Sequence, residues 1–443
     1  MRLAEPIHSY LKDRLSQKSV VDGRIWVTAV LALYFASIYL VSLFLPYEKV
    51  WQRTGVPAMT PIFADLRAVL GGFECTRQGY DVLHVMPCDP YGRGSLAYPR
   101  LWMKLEWLGL DLSHSIVIGI AFAVIFYAVT LRIIGRLNKY EAVIYTLLLC
   151  SPPVILLVER ANVDILMYAL LFLCLTLAGS RSPLVRFIGY SMILLPSALK
   201  LLPIFSLGVI LKERRRAWAL FCIALLAALF MIYCYAIREE LRVFKGVYVY
   251  LSWYSFGARI LPHETLGIVK ALLSGAPITE GMRLPLAAIV LLFSAMSVTI
   301  LLAGGKAFRR WIEAPLSPAK DVEPGSTADF RLDAFRIGTC LYLGTFLFTI
   351  AFDYKLSFLV LAMPQMIFWI KHDAVLGRAS GLALVGILAT LYISPFFERW
   401  LIDECINWLL FLYFAGMLLV TLPDWIKIPI HKLFYAARRE VPA

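Results

Sequence analysis

Charge is scarce in this sequence. Only 16% of its 443 residues are charged, whereas a soluble domain carries about 25%. With 60% hydrophobic residues and a mean hydropathy of +0.74, an ordinary soluble protein is excluded. The apolar runs are continuous rather than alternating, so a transmembrane β-barrel is excluded as well. No internal repeat is present, which argues against a pseudo-symmetric transporter. There is no low-complexity tract and no soluble domain. No Cys-x-x-Cys pair and no His/Cys ligand spacing occurs, so a zinc site has no support. No basic stripe lies in a compact soluble domain, so nucleic acid is not an expected partner despite a net charge of +13. Positive loops lying on an anionic leaflet account for that charge.

What the chain does contain is hydrophobic segments, eleven of them. They run near Ile25–Leu45, Ser115–Ile134, Ala142–Val158, Ile165–Ala178, Phe187–Leu211, Trp218–Ile237, Leu284–Leu302, Ile337–Ala351, Leu356–Ile370, Ala379–Ser394 and Ile406–Leu422. Several reach the roughly 20 residues needed to cross a bilayer core. The expectation is an all-α, polytopic transmembrane bundle forming a single integral membrane domain. Residues 24–237 form a first module with an outside loop at 47–113. A second outside loop follows at 238–283, then C-terminal helices at 284–422 and a cytoplasmic tail at 423–443. The most linker-like piece is Ser317–Phe330, polar and with two prolines.

Lys and Arg in short loops set orientation. Four of them precede the first span in "LKDRLSQKSVVDGR", which predicts a cytoplasmic N-terminus. No cleavable signal is expected, because the first apolar run is long and lacks a small-residue cleavage site. Arg132, Arg136 and Lys139, then "KERRR" at Lys212–Arg216, then Lys306, Arg309 and Arg310, then Lys371 and Arg378, mark further inside loops. The tail, with Lys427, Lys432, Arg438 and Arg439, also reads as inside. Both ends inside requires an even number of crossings, so about eleven or twelve are expected. The stretch 187–211 carries Pro196, Lys200 and Pro203. It reads either as two short helices meeting at Ser197–Lys200, or as one kinked helix with the crossing miscounted elsewhere.

The first outside loop, "FADLRAVLGGFECTRQGYDVLHVMPCDPYGRGSLAYPRLW", is polar and aromatic in a chain that is otherwise apolar. Its Cys75 and Cys88 suit a disulfide in an oxidising compartment such as a bacterial periplasm. The other six cysteines lie in apolar spans or, for Cys405, at the start of one. Asp65 stands in an amphipathic stretch of this loop. Three later outside-facing pieces supply "VERANVD" at Val158–Asp164, the Lys200 break, and "FDYKLSFL" at Phe352–Leu359. A carboxylate and several cations therefore gather on one membrane face. A carboxylate can take a proton from a hydroxyl, and Lys and Arg can hold phosphate oxygens. That set suits an anionic, lipid-linked substrate.

In these four places, "FADL", "GYD…CDPYGR…YPRLW", "ERANVD" with "ALKLLP", and "DYKLSFLVLAMPQ", the chain resembles the polytopic GT-C glycosyltransferases. Within that superfamily it is similar to the branch using polyprenyl-phosphate sugars, which includes bacterial mannosyl- and arabinofuranosyltransferases. The resemblance runs from about Arg24 to Leu422, and the order and membrane side of the motifs carry it. It implies a GT-C fold in the bacterial cytoplasmic membrane, with a periplasmic first loop of amphipathic helices. It also implies an active site facing the periplasm or cell exterior. Asp65 would be the general base on an acceptor hydroxyl, and the sugar would leave a polyprenyl phosphate with inversion. The donor phosphate would be held by some of Lys200, Lys355, Arg160 and Arg93. Asp89, Tyr98, Trp102 and Asn162 would contact acceptor or sugar. The partners implied are a polyprenyl-phosphate-linked sugar, a glycan or lipid acceptor, and membrane lipids. The paired acids of metal-using relatives are absent at Asp65, whose neighbours are Ala64 and Leu66, so no cofactor is required and a divalent metal lacks support. The chain also has Lys355 where similar sequences carry Arg.

Plainer readings stand beside these. Asp65 can pair with Arg67, and Arg160 with Asp164 one turn on. Asn162 can cap the following helix, and Lys355 can pair with Asp353. Asp81 and Asp89 suit turns, and Arg93 and Arg100 can pair with those acids or snorkel. Tyr91, Tyr98, Trp102 and Trp107 can be interface anchors. His263 and Glu264 are not a ligand set, and "YVYLSWYSFGARILP" reads as amphipathic cover over the site. A lipid or glycan transporter or flippase, and a non-catalytic partner in polysaccharide assembly, are the competing functions. An oligosaccharide-ligase type of GT-C enzyme is a further one, disfavoured by the short outside loops.

Overall fold

The computed structural model describes residues 4–17, 19, 21–247, 254–260, 322–393 and 402–436. The expected span Leu284–Leu302, His263, Glu264, Lys306, Arg309, Arg310, Arg438 and Arg439 lie outside the described residues. Helix makes up 76% of the structure and strand 1%. The strand is one antiparallel pair of two-residue segments, Ser255–Phe256 against Ala351–Phe352.

Among the described residues, five helices are long and apolar enough to cross a membrane: Arg24–Ser42, Leu112–Ile134, Arg216–Ala236, Ala374–Ile393 and Ile402–Val420. The first shows why they need lipid. It buries only Val27 and Leu31 against the protein. Ile25, Trp26, Leu33, Tyr39 and Leu40 are each more than half exposed. In water such area costs about 25 cal/mol per Å²; among acyl chains that cost disappears. The protein is built for a membrane.

Several of the other expected apolar segments are broken into shorter elements. Ala142–Val158 becomes two helices, Lys139–Leu149 and Pro152–Glu159, bent by 58° and at most a sixth span. Pro152 and Pro153 have no N–H to continue the first helix. Asn138 starts that helix with a capping box closed by Glu141. Leu356–Ile370 is a 3-10 stretch, Asp353–Leu361, followed by the helix Met363–His372. Thr327–Phe348 begins inside the linker-like piece and carries buried Asp333 and Arg336. Gly338 lets it lie against Phe358, where a Cβ would stand 2.9 Å from the carbonyl oxygen.

The stretch 187–211 is two passes. The helices Pro183–Met192 and Leu194–Lys200 carry the chain to Lys200, and a 3-10 stretch, Leu202–Lys212, carries it back. The break falls at Leu201, φ +52°, one residue past the expected place. Eleven residues of 3-10 helix span about 22 Å. Contacts fix the two ends. At one end Lys212 meets Asp333 and the Ala178 carbonyl, and Arg186 holds Glu213 at 2.6 Å. Lys371 meets Glu141 and Arg14 donates to Tyr140 at that end too. The opposite end holds Asp65, Arg160 and Lys200.

Candidate active site

Asp65 is the second residue of the helix Ala64–Arg77. The turn after Pro152–Glu159 positions it: the Arg160 carbonyl accepts from the Asp65 and Leu66 amides at 3.2 and 3.4 Å. These amides lack partners within their own helix, so the two elements are locked end to end. A carboxylate in the first turn also suits the helix dipole. Asp65 is buried, and its Oδ2 accepts from Asn162 Nδ2 at 2.5 Å. Its Oδ1 lies 3.6 Å from Arg93 Nη1 and 3.6 Å from Arg160 Nη1. Arg67 is not its partner; that guanidinium donates to the Ile62 carbonyl.

Arg93 is held by Asp89 through side-chain contacts at 3.0 Å, and its backbone amide also donates to Asp89 at 2.8 Å. One further N–H reaches the Ala64 carbonyl at 2.9 Å. Asp89 therefore clamps Arg93 through a buried carboxylate. The clamp is tied down by a disulfide, Cys75–Cys88, with Cα atoms 5.7 Å apart. Gly71 makes this approach possible, since a Cβ there would sit 2.8 Å from the Cys88 carbonyl oxygen. Tyr91 donates to the Pro61 carbonyl. Burial first, with Glu159 and Asp65 adding to it and Arg67 and Arg93 opposing, pushes its hydroxyl up to about 12, so it stays a donor.

Asn162 continues the line inward. Its Oδ1 accepts from Lys200 Nζ at 2.6 Å and from the Asp164 amide at 2.9 Å. Lys200 ends a helix, where a cation suits the dipole. It also pairs with Asp164 at 3.0 Å and lies over the rings of Tyr98 and Tyr354 at 5.4 and 5.7 Å. Asp164 thus belongs to Lys200 and not to Arg160; residues 160–163 form a turn, so the one-turn helical spacing never exists. Lys355 is 8% exposed and forms no pair with Asp353. Among the described residues, no carboxylate stands within ion-pair reach of its Nζ. A buried cation without such a partner is costly, and an anionic ligand would supply what is missing.

Backbone strain marks the same three places. Among the described residues, three that are not glycine are left-handed: Phe63 at φ +63°, Ala161 at +43° and Leu201 at +52°. They lie beside Asp65, Asn162 and Lys200. Each such residue costs about 1–3 kcal/mol, and strain of this kind clusters at functional sites.

Trp102 is placed differently from its expected sugar-contact role. It is 4% exposed and donates to the Leu199 carbonyl at 3.0 Å, bracing the residue before Lys200. Tyr98 is half-buried, and Trp107 is exposed on the outside of the loop. Arg100 holds Asp81 at the surface. The described part of the second loop crosses this end: buried Tyr254 bonds the Gly55 carbonyl, and Ser255–Phe256 pairs just ahead of Asp353.

Three neighbours were not singled out from sequence. Buried Glu159 accepts from Tyr47 at 2.9 Å behind Asp65. Burial, then Glu159, raises the Tyr47 hydroxyl well above its ordinary value, so it too stays a donor. The signal for Glu159 was its place inside "ERANVD"; Tyr47 had none. Tyr354 was visible only as part of "DYK". Among the described residues, no group of three or more His, Cys, Asp or Glu is arranged to hold a metal ion.

No family model, curated protein or solved structure matches this chain.

Proposed function

We propose that this protein is a membrane glycosyltransferase of the GT-C type that moves a sugar from a polyprenyl-phosphate donor to an acceptor hydroxyl. The observation that carries the reading is that buried Lys355 has no carboxylate in ion-pair reach among the described residues, and lies near Lys200, which Asn162 joins to Asp65.

The roles follow from what each group already holds. Arg93 and Arg160 flank Asp65, and Asp89 clamps Arg93, so these two arginines fix the base. Lys355, with Lys200 beyond its pair with Asp164, supplies the positive charge for the phosphate. Asp65 takes the proton from the acceptor hydroxyl as that oxygen attacks the anomeric carbon. The new C–O bond forms from one face while the bond to the phosphate oxygen breaks on the other, inverting the centre. The electron pair leaves with the polyprenyl phosphate, whose added negative charge the two lysines stabilise. The lipid tail stays among the exposed apolar helices.

Two features favour placing this end outside a bacterial cytoplasmic membrane. The Cys75–Cys88 disulfide belongs to an oxidising compartment, and the basic loops lie at the opposite end. The test is to offer membranes containing the protein a panel of radiolabelled polyprenyl-phosphate sugars. Consumption of one donor, dependent on the protein, is expected. A folded protein that turns over none of them contradicts the reading and favours a transporter or an assembly partner.

A further inference from the structure

Asn162 stands between a carboxylate and an ammonium. Its Nδ2 donates to Asp65 Oδ2 at 2.5 Å, and its Oδ1 accepts from Lys200 Nζ at 2.6 Å. The side chain is fully buried. Only one orientation of the amide fits. Reversed, its NH₂ would face an ammonium and the Asp164 N–H, and its oxygen would face a carboxylate. Asp65 and Lys200 come from separate passes of the chain and meet only through this amide.

Opposite charges this close in a partly desolvated setting attract strongly. With the amide gone, Lys200 and Asp65 are free to close on each other. A direct ion pair would take Asp65 from the acceptor and Lys200 from the phosphate at once. The left-handed Ala161 and Leu201 flank two of the three members, so the backbone is bent to hold this spacing.

We propose that Asn162 is a positioning residue, a polar spacer that keeps Asp65 from becoming a second carboxylate partner of Lys200 beside Asp164, and so leaves Asp65 to the acceptor and the remaining charge of Lys200 to the phosphate. This rests on the reading of Lys200 and Lys355 as a phosphate site. It assigns Asn162 to the gap between base and phosphate rather than to acceptor or sugar.

The test measures binding of farnesyl phosphate to the full-length protein in lipid nanodiscs. Four chains are compared: wild type, Asn162→Ser, Asp65→Asn, and the double variant. Serine keeps an oxygen for the Asp164 amide but cannot bridge the gap. Asn162→Ser should weaken binding about tenfold, the size expected when neighbours share one network. Adding Asp65→Asn to it should restore binding, because Lys200 then keeps only Asp164, its partner in the wild type, and gains no second carboxylate. Asn162→Ala is run in parallel and should show the same rescue. A merely structural role predicts a loss that Asp65→Asn does not repair, and that result overturns the proposal. Unchanged binding in Asn162→Ser overturns it too, as does a folded wild type that binds no farnesyl phosphate. Sugar transfer is read separately. An Asp65→Asn protein with full transfer activity sinks the general-base reading but leaves the rescue pattern intact, so the two failures are told apart.

Discussion

Replacing Lys355 with methionine should move stability and donor binding in opposite directions. The lysine is 8% exposed and has no carboxylate in ion-pair reach among the described residues. Methionine keeps most of the side-chain volume and removes the charge, so core packing survives. Removing a buried, unpaired polar or charged group relieves a desolvation penalty of about 1–3 kcal/mol or more. The Lys355→Met protein should therefore unfold at the same temperature as wild type or higher. Donor binding should suffer. One charge-assisted hydrogen bond to phosphate is worth about 1.5–3 kcal/mol, which is roughly a 10- to 100-fold loss of affinity. Thermal unfolding in detergent and farnesyl phosphate binding, measured on one preparation, check both halves. A Lys355→Met protein that melts lower and binds the lipid phosphate as well as wild type would refute the reasoning. Lys355 would then be a structural residue.

Two further perturbations probe the supports of the site. Changing both Cys75 and Cys88 to serine opens a loop of 13 residues separation, and should lower stability by about 3 kcal/mol on the chain-entropy account. Because Asp89 follows Cys88 directly, sugar transfer should fall further than the stability loss explains, measured at a temperature where both proteins stay folded. Trp102→Phe leaves the buried Leu199 carbonyl without its donor, a cost of about 1–3 kcal/mol. Its kinetic effect should fall on the donor KM through Lys200, with little change in kcat.

Much of this site lay open in the sequence, and the failures have physical causes. Asp65 with Arg93, Arg160 with Asn162, Lys200, and Lys355 stand in four separate stretches, yet the apolar segments between those stretches place all six residues at one end. That placement follows from alternation of the chain and needs no side-chain detail. Partners were harder. Arg160 and Asp164 have the spacing of a helical pair, but a left-handed Ala161 turns the chain between them and sends Asp164 to Lys200. The break was expected at Ser197–Lys200, between the two prolines, and falls one residue on at Leu201. Pro196 sits in the first turn of a short helix, where its missing N–H costs nothing, and Pro203 does the same after the break. Trp102 looked like a sugar platform because aromatic residues on outside loops can be either platform or anchor; only packing distinguishes them. Hydropathy registers apolar length, so it did not show that 3-10 stretches and a proline bend divide several of the apolar segments.

The most direct measurement compares wild type with Asp65→Asn at matched amounts in membranes, using whichever polyprenyl-phosphate sugar the wild type consumes. Asparagine keeps the shape of the side chain and cannot take a proton. Transfer should fall about 10²–10⁴-fold, the usual contribution of a positioned base, with farnesyl phosphate binding retained. Equal transfer by the two proteins would contradict the assignment of Asp65 as the base.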